Sequence, residues 1–148
     1  KVARSLLQSP EVAKYIFFPR KGLPLSEPEF IDVGGARLAC HYSASRKRSK
    51  TLVHWHGNGE LVSDMLMKED EQGMYPLCKK LGLNVLLVEY RGYGSSSGEP
   101  SLVLDDVKNV CDHLVKARGV RVEDMILFGR SLGSIYAIHF VALFPKVA

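Results

Sequence analysis

A serine framed by glycines, Gly129-Arg130-Ser131-Leu132-Gly133, separates the apolar run Ile126-Leu127-Phe128 from a second apolar stretch that begins at Leu132. The pattern reads as a short strand passing straight into a helix, with Ser131 on the turn between them. A serine on so sharp a turn lifts its hydroxyl clear of the sheet, and the two glycines leave room for a backbone that most residues could not adopt. The next amide, Leu132 N–H, opens the helix, where unpaired donors and the helix dipole favour a developing oxyanion. The chemistry that suits this arrangement is acyl transfer with Ser131 as nucleophile.

Such a serine has to be held by neighbouring elements. Val12 to Phe18 is a short apolar and aromatic segment stopped by Pro19. Phe30–Val33 and Ala36–Tyr42 read as two strands around a Gly34-Gly35 turn, and Thr51–Trp55 as a third. Residues 61–81 are expected to be mostly helical, broken at Gly73 and Pro76. The uninterrupted Val85-Leu86-Leu87-Val88 suits a strand buried on both faces. Val103, Val107, Val110 and Leu114 share one helical face, with Gly119 as C-cap and Asp105 and Asp106 as a solvated first turn. Met125–Phe128 delivers Ser131. From Thr51 onward strand and helix alternate, which means a parallel sheet with crossover helices on both sides.

Three loops then fall at the C-terminal ends of parallel strands: His56–Gly59, Arg91–Gly98 and Gly129–Gly133. Ligands bind at that edge of open α/β sheets. An acyl-transfer site needs a second oxyanion donor beside Leu132 N–H, and Asn58 N–H is the candidate, with Gly57 and Gly59 allowing close backbone approach. Gly92-x-Gly94 is a poor dinucleotide fingerprint because its third glycine is replaced by Ser97. No Gly-Lys-Ser/Thr of a phosphate loop exists in the chain. No cofactor is implied.

The segments His56-Gly57-Asn58-Gly59, Tyr90 through Ser101 (with Arg91-Gly92-Tyr93-Gly94-Ser95-Ser96-Ser97-Gly98) and Gly129–Gly133 together resemble the α/β-hydrolase family. Within it they are similar to the Bem46-like serine hydrolases, a group that includes depalmitoylating enzymes. The likeness covers roughly residues 28–145. It implies an α/β-hydrolase-type, mostly parallel sheet with helices on both faces, Ser131 as nucleophile, and the Asn58 and Leu132 amides as an oxyanion hole. His56, Gly57, Gly59 and Tyr93 would belong to the substrate-side loops. It further implies that the chain holds the first half of the fold: residues 1–27 as an N-terminal extension and 28–148 as a partial hydrolase domain.

The departure from the family pattern is as informative. The family order places an acid and then a histidine beyond the serine. After Ser131 this chain has no Asp or Glu, and its one later histidine is His139. Eight helical residues rise about 12 Å, whereas a base must lie roughly 3 Å from the serine oxygen. His139 is therefore excluded as base, and His56 is expected to shape its own loop. His54 and His56 alternate with Trp55 without a third ligand nearby, so no metal is expected, and His41 and His113 read as ordinary surface or half-buried residues. The helix after Ser131 is apolar on every side and Met125–Phe128 has no later strand to pair with, so the chain is expected to be cut short. Two readings stand: a serine hydrolase of esters, thioesters or amides, incomplete as given, or a non-catalytic α/β module using the same loops to bind a ligand or partner.

Composition fits both. The chain has 148 residues, 46% of them hydrophobic and 24% charged, with a net charge of +4, as expected of one globular domain. Arg46-Lys47-Arg48 lacks the interleaved aromatics that base stacking would use, so it reads as a solvated turn and nucleic acid is not an expected partner. Small-molecule or acyl-protein esters are the expected substrates. Cys40, Cys78 and Cys111 form no Cys-x-x-Cys pair and read as small buried hydrophobes in a reducing compartment. The expected location is the cytoplasm or the cytoplasmic face of a membrane, since the chain begins with Lys1 and leaves room upstream for an anchor.

Overall fold

A strand covered on both faces is apolar at most positions, and two segments are buried along their full length, Thr51–Trp55 and Asn84–Val88, with Thr51, His54 and Asn84 as their polar members. The computed structural model describes residues 9–45, 49–67 and 74–147. In chain order the elements are α1 (Pro10–Ile16), β1 (Glu29–Asp32), β2 (Arg37–Ser43), β3 (Thr51–Trp55), α2 (Val62–Met67), α3 (Met74–Lys80), β4 (Asn84–Val88), α4 (Asp106–Arg118), β5 (Met125–Gly129) and α5 (Leu132–Leu143). The strands lie in the order β1-β2-β4-β3-β5. β4, β3 and β5 are parallel, and the β1–β2 hairpin joins antiparallel to β4.

Alternation along the strands builds two cores. Val53, Trp55, Leu86, Val88 and Met125 meet α4 and α5 on one face. Leu52, Val85 and Leu87 meet Val62 of α2 and Cys78 of α3 on the other. Trp55 stacks on Tyr136 of α5 with ring centroids 6.5 Å apart, and Tyr136 stacks on Tyr90 at 5.0 Å. The expected hairpin, strands and C-cap are present, Gly119 adopting φ 64°. The three cysteines are free and buried, and burial pushes each thiol up. No helix among the described residues is long and apolar enough to cross a membrane.

Three expectations need correction or limits. Pro76 does not break a helix: it lies within α3. The helix carrying Val107, Val110 and Leu114 begins at Asp106 and excludes Val103. Asp106 is buried rather than solvated, because Arg91 reaches it with two hydrogen bonds of 2.8 and 2.6 Å. Burial lifts the Asp106 carboxyl above its ordinary range, while the guanidinium beside it pulls the other way. Arg46, Lys47, Arg48 and Gly73 lie outside the described residues.

β5 forms one edge of the sheet, and its Phe128 is exposed. Beside it α5 presents Ile135, Ile138, Val141 and Leu143 to solvent, Ile138 with 69% of its surface accessible. Contiguous apolar surface beside an unpaired strand edge favours self-association. The 148-residue chain is therefore expected to associate, and Ile138→Lys combined with Val141→Lys to shift it toward monomer without lowering its melting midpoint. Sedimentation velocity reads the association and a thermal melt the midpoint, and a monodisperse wild-type monomer would contradict the expectation.

Candidate active site

β5 ends at Gly129 and α5 begins at Leu132, so two residues must reverse the chain from strand into helix. Ser131 does so at φ 51°, ψ −115°, the one non-glycine with positive φ among the described residues. A side chain held there costs on the order of 1–3 kcal/mol. Three contacts hold the turn. Arg130 N–H donates to Trp55 O at 3.1 Å, Gly133 N–H to Arg130 O at 2.9 Å, and Ser134 N–H to Ser131 O at 3.0 Å. The Ser134 hydroxyl adds a 2.5 Å bond to the same Ser131 carbonyl. The glycines are sterically required: a Cβ on Gly129 would lie 2.3 Å from Gly133 O, and one on Gly133 would lie 2.0 Å from Trp55 O. Ser131 itself is exposed at the start of α5. Leu132 N–H, in the first turn, has no intrahelical acceptor.

The register that pairs Trp55 with Gly129 brings the turn after β3 to the same sheet edge as Ser131. Within that turn Gly57 N–H donates to Glu60 Oε2 at 2.6 Å and Glu60 N–H to Gly57 O at 3.2 Å. The Glu60 carboxylate also forms an ion pair with Arg130, so a side chain of the Ser131 turn is tied to the Asn58 turn. The Asn58 side chain points away from that pair: its Oδ1 accepts from Phe18 N–H at 3.0 Å and Tyr93 O–H at 2.7 Å, and its Nδ2 donates to Ile16 O at 2.6 Å. Gly59, at φ 76°, lets the chain leave the turn.

Under these loops lies a buried polar pair. His56 is 1% exposed and Glu89 2%. His56 Nε2 lies 2.5 Å from Glu89 Oε1, and its Nδ1 2.8 Å from Gly57 O. Glu89 Oε2 also accepts from Val62 N–H, the first amide of α2, at 3.0 Å, and Tyr90 O–H donates to His56 O at 2.5 Å. One carboxylate thus joins the end of β4, the turn after β3 and the start of α2. Both His56 ring nitrogens face partners within the fold. His139 sits on α5, two turns beyond Ser131.

The loop after β4 closes back on the sheet. Ser96 Oγ accepts from Ala39 N–H at 2.8 Å and Ser97 Oγ from Arg37 N–H at 2.9 Å, so both hydroxyls are bound to β2. Tyr93 is fully buried, and its hydroxyl is taken up by Asn58 and Phe18. The side chains of His56 and Tyr93 therefore support their loops from within rather than line the surface. Glu89, Glu60 and Arg130 were not among the residues singled out from sequence. An acid directly after an all-apolar strand, and a charge inside the Gly-x-Ser-x-Gly turn, were the signals available for them. No group of three or more His, Cys, Asp or Glu side chains that could hold a metal exists among the described residues.

On the α2–α3 face, a cavity of about 320 Å³ is lined by Leu52, His54, Met65, Tyr75, Phe128 and Arg130, among others. His54 packs edge-on against Phe128 at 5.0 Å, and its Nε2 has no partner among the described residues. Burial holds its pKa down at about 4, helped by the charges of His56 and Arg130.

The steric argument at the Ser131 turn gives a direct test. Gly133→Ala should cost at least about 3 kcal/mol because the obstacle is the backbone of β3. At Gly119 an added Cβ meets nothing within 4 Å, and Gly119→Ala should cost only about 1–2 kcal/mol from its positive φ. Urea unfolding of the whole protein measures both, and equal costs would refute the crowding argument.

A family model described as Chlamydia CHLPS protein (DUF818) matches residues 31–143. Alpha/beta hydrolase domain-containing protein 17B of Xenopus tropicalis is 29% identical over 117 residues, covering 77% of this chain and 39% of that protein. The protein YfhR of Salmonella typhimurium is 34% identical over 88 residues, covering 56% of this chain and 27% of that protein. Among solved structures, a predicted CIB-like hydrolase from Thermoplasma acidophilum superposes with a TM-score of 0.62 at 23% identity, covering 82% of this chain and 58% of that one. The Pyrococcus furiosus esterase Pf2001 gives 0.66 at 19% identity, covering 87% and 54%. The chain spans about two fifths of the length of protein 17B and about half that of the two structures. The strand order, the match across residues 31–143 and these relatives place the chain in the DUF818 family and in the α/β-hydrolase superfamily, of whose fold it covers a part.

Proposed function

We propose that this chain supplies the nucleophile and the oxyanion donors of a serine hydrolase that cleaves carboxylic esters, thioesters or amides, of small molecules or of acylated proteins, through an acyl-enzyme on Ser131. The observation that supports it most is the backbone of Ser131. A residue held at φ 51° between two glycines that have no room for a side chain makes sense where the strain presents a hydroxyl at a helix N-terminus.

In this reading Ser131 Oγ attacks the carbonyl carbon while a base takes its proton. The carbonyl oxygen becomes an oxyanion held by Leu132 N–H and Asn58 N–H. Collapse expels the alcohol, thiol or amine with a proton, and water then releases the acid by the same steps. Leu132 N–H is free for that role in the first turn of α5, whereas Gly57 N–H is taken up by Glu60. This leaves the next amide, Asn58 N–H, as the second donor. Among the described residues neither His56 nor His139 is placed as the general base: His139 lies two turns along α5, and His56 faces Glu89 and Gly57 O with its two ring nitrogens. Turnover therefore belongs to the whole protein, and the same observation favours binding without catalysis for the isolated chain.

A fluorophosphonate probe tests both statements. The whole protein should label at Ser131, and Ser131→Ala should abolish labelling. The 148-residue chain should label on the order of 10²-fold more slowly or worse, because general-base assistance supplies about that much. Rapid labelling of the isolated chain, or labelling that survives Ser131→Ala, would overturn the proposal.

A further inference from the structure

Residues 16–21 lie across the two loops that flank the site. Ile16 O and Phe18 N–H are bound to the Asn58 side chain, and Phe18 N–H also reaches the Tyr93 hydroxyl at 3.1 Å. Arg20 O accepts from Gly94 N–H at 2.9 Å. The Arg20 guanidinium donates to Gly59 O at 3.0 Å and Asp64 Oδ2 at 2.8 Å, and Lys21 Nζ donates to Gly92 O and Gly94 O at 3.2 Å each. Phe17 is buried in the core that also holds Tyr93 and Trp55. Residues 16–21 are thus a strap fastened over the turn after β3 and the loop after β4.

From this geometry we infer that the Asn58 side chain and the Tyr93 hydroxyl are positioning residues, which with the strap fix the Asn58 backbone amide in the orientation an oxyanion needs. The inference rests on the hydrolase reading of Ser131. Asn58 stands between Gly57 and Gly59, so its flanking peptides would turn freely if the backbone alone had to hold them. Its side chain is instead clamped at both ends, by two donors on Oδ1 and one acceptor on Nδ2. Oxyanion donors act by being preorganised, and they depend on supporting hydrogen bonds to stay so. Tyr93 suits the task. Burial raises its pKa to about 12, so across working pH its hydroxyl keeps the proton it donates to Asn58 Oδ1. The strap supplies the remaining contacts through main-chain atoms, which a substitution in residues 16–18 would leave in place.

The test uses the whole protein and p-nitrophenyl butyrate, with kcat expressed per Ser131 site titratable by fluorophosphonate, so that unfolded molecules are excluded. Tyr93→Phe and Asn58→Ala should each lower kcat per site about tenfold or more, with KM within about twofold and the pH profile unmoved. Deleting residues 1–20 should produce a similar loss, and adding Tyr93→Phe to the deletion should lower kcat little further, as expected of groups acting as one unit. A kcat per site within twofold of wild type in both point variants would overturn the inference, including the case where fewer sites titrate, since that would mean a role in folding alone. Activity persisting in Ser131→Ala would instead defeat the hydrolase reading on which it stands.

Discussion

The carbonyl of Trp55 is the point on which the arrangement at the sheet edge depends. Arg130 N–H donates to it, and Gly133 passes so close that a Cβ there would lie 2.0 Å away. Two segments from adjacent parallel strands are thus in backbone contact, one residue beyond the last ladder pair, Trp55 with Gly129. With the start of α5 pressed onto the end of β3, the link from β5 has only Arg130 and Ser131 to work with, and Ser131 takes the positive φ. Its exposure and its place at the helix N-terminus follow from that crowding, and so does the restriction of both neighbours to glycine.

Loops rich in glycine do not hold a shape by themselves, and this fold holds them with buried polar groups. Glu89 binds the His56 ring and the first amide of α2. Arg91 reaches Asp106 as well as the carbonyls of Val33 and Gly34. Such groups would be costly if left unpaired, and each is satisfied by a partner on a different element. The apolar cores set where the strands lie, and the polar ties set how their C-terminal loops face one another. A site built this way is positioned by the body of the sheet rather than by its own short sequence motifs.

That division explains what could be read from the residues alone. Val85–Val88, Thr51–Trp55 and the Gly34-Gly35 turn announce themselves through local pattern, and the structure places them as expected. The turn at Ser131 is also local, five residues whose glycines have one use. Val103 keeps the helical spacing yet lies outside α4, which begins at Asp106, and the Arg91 partner that accompanies the burial of Asp106 sits 15 positions away, beyond the reach of local pattern. The strap was missed for a similar reason. Its bonds run between main-chain atoms near residue 18 and side chains 40 and 75 positions away, and hydropathy carries no trace of them. Glu89 lay in view as an acid at a strand end, yet nothing local says that His56 would be its partner.

The central claim is that Ser131 and two backbone amides from adjacent strands form one reactive site. A crystal structure of the whole protein carrying a phosphonate adduct tests it most directly. The account predicts the phosphorus on Ser131 Oγ, with one phosphonyl oxygen about 2.7–3.1 Å from both Leu132 N and Asn58 N. An adduct on another residue, or a phosphonyl oxygen turned to solvent with the Asn58 amide facing elsewhere, would contradict it.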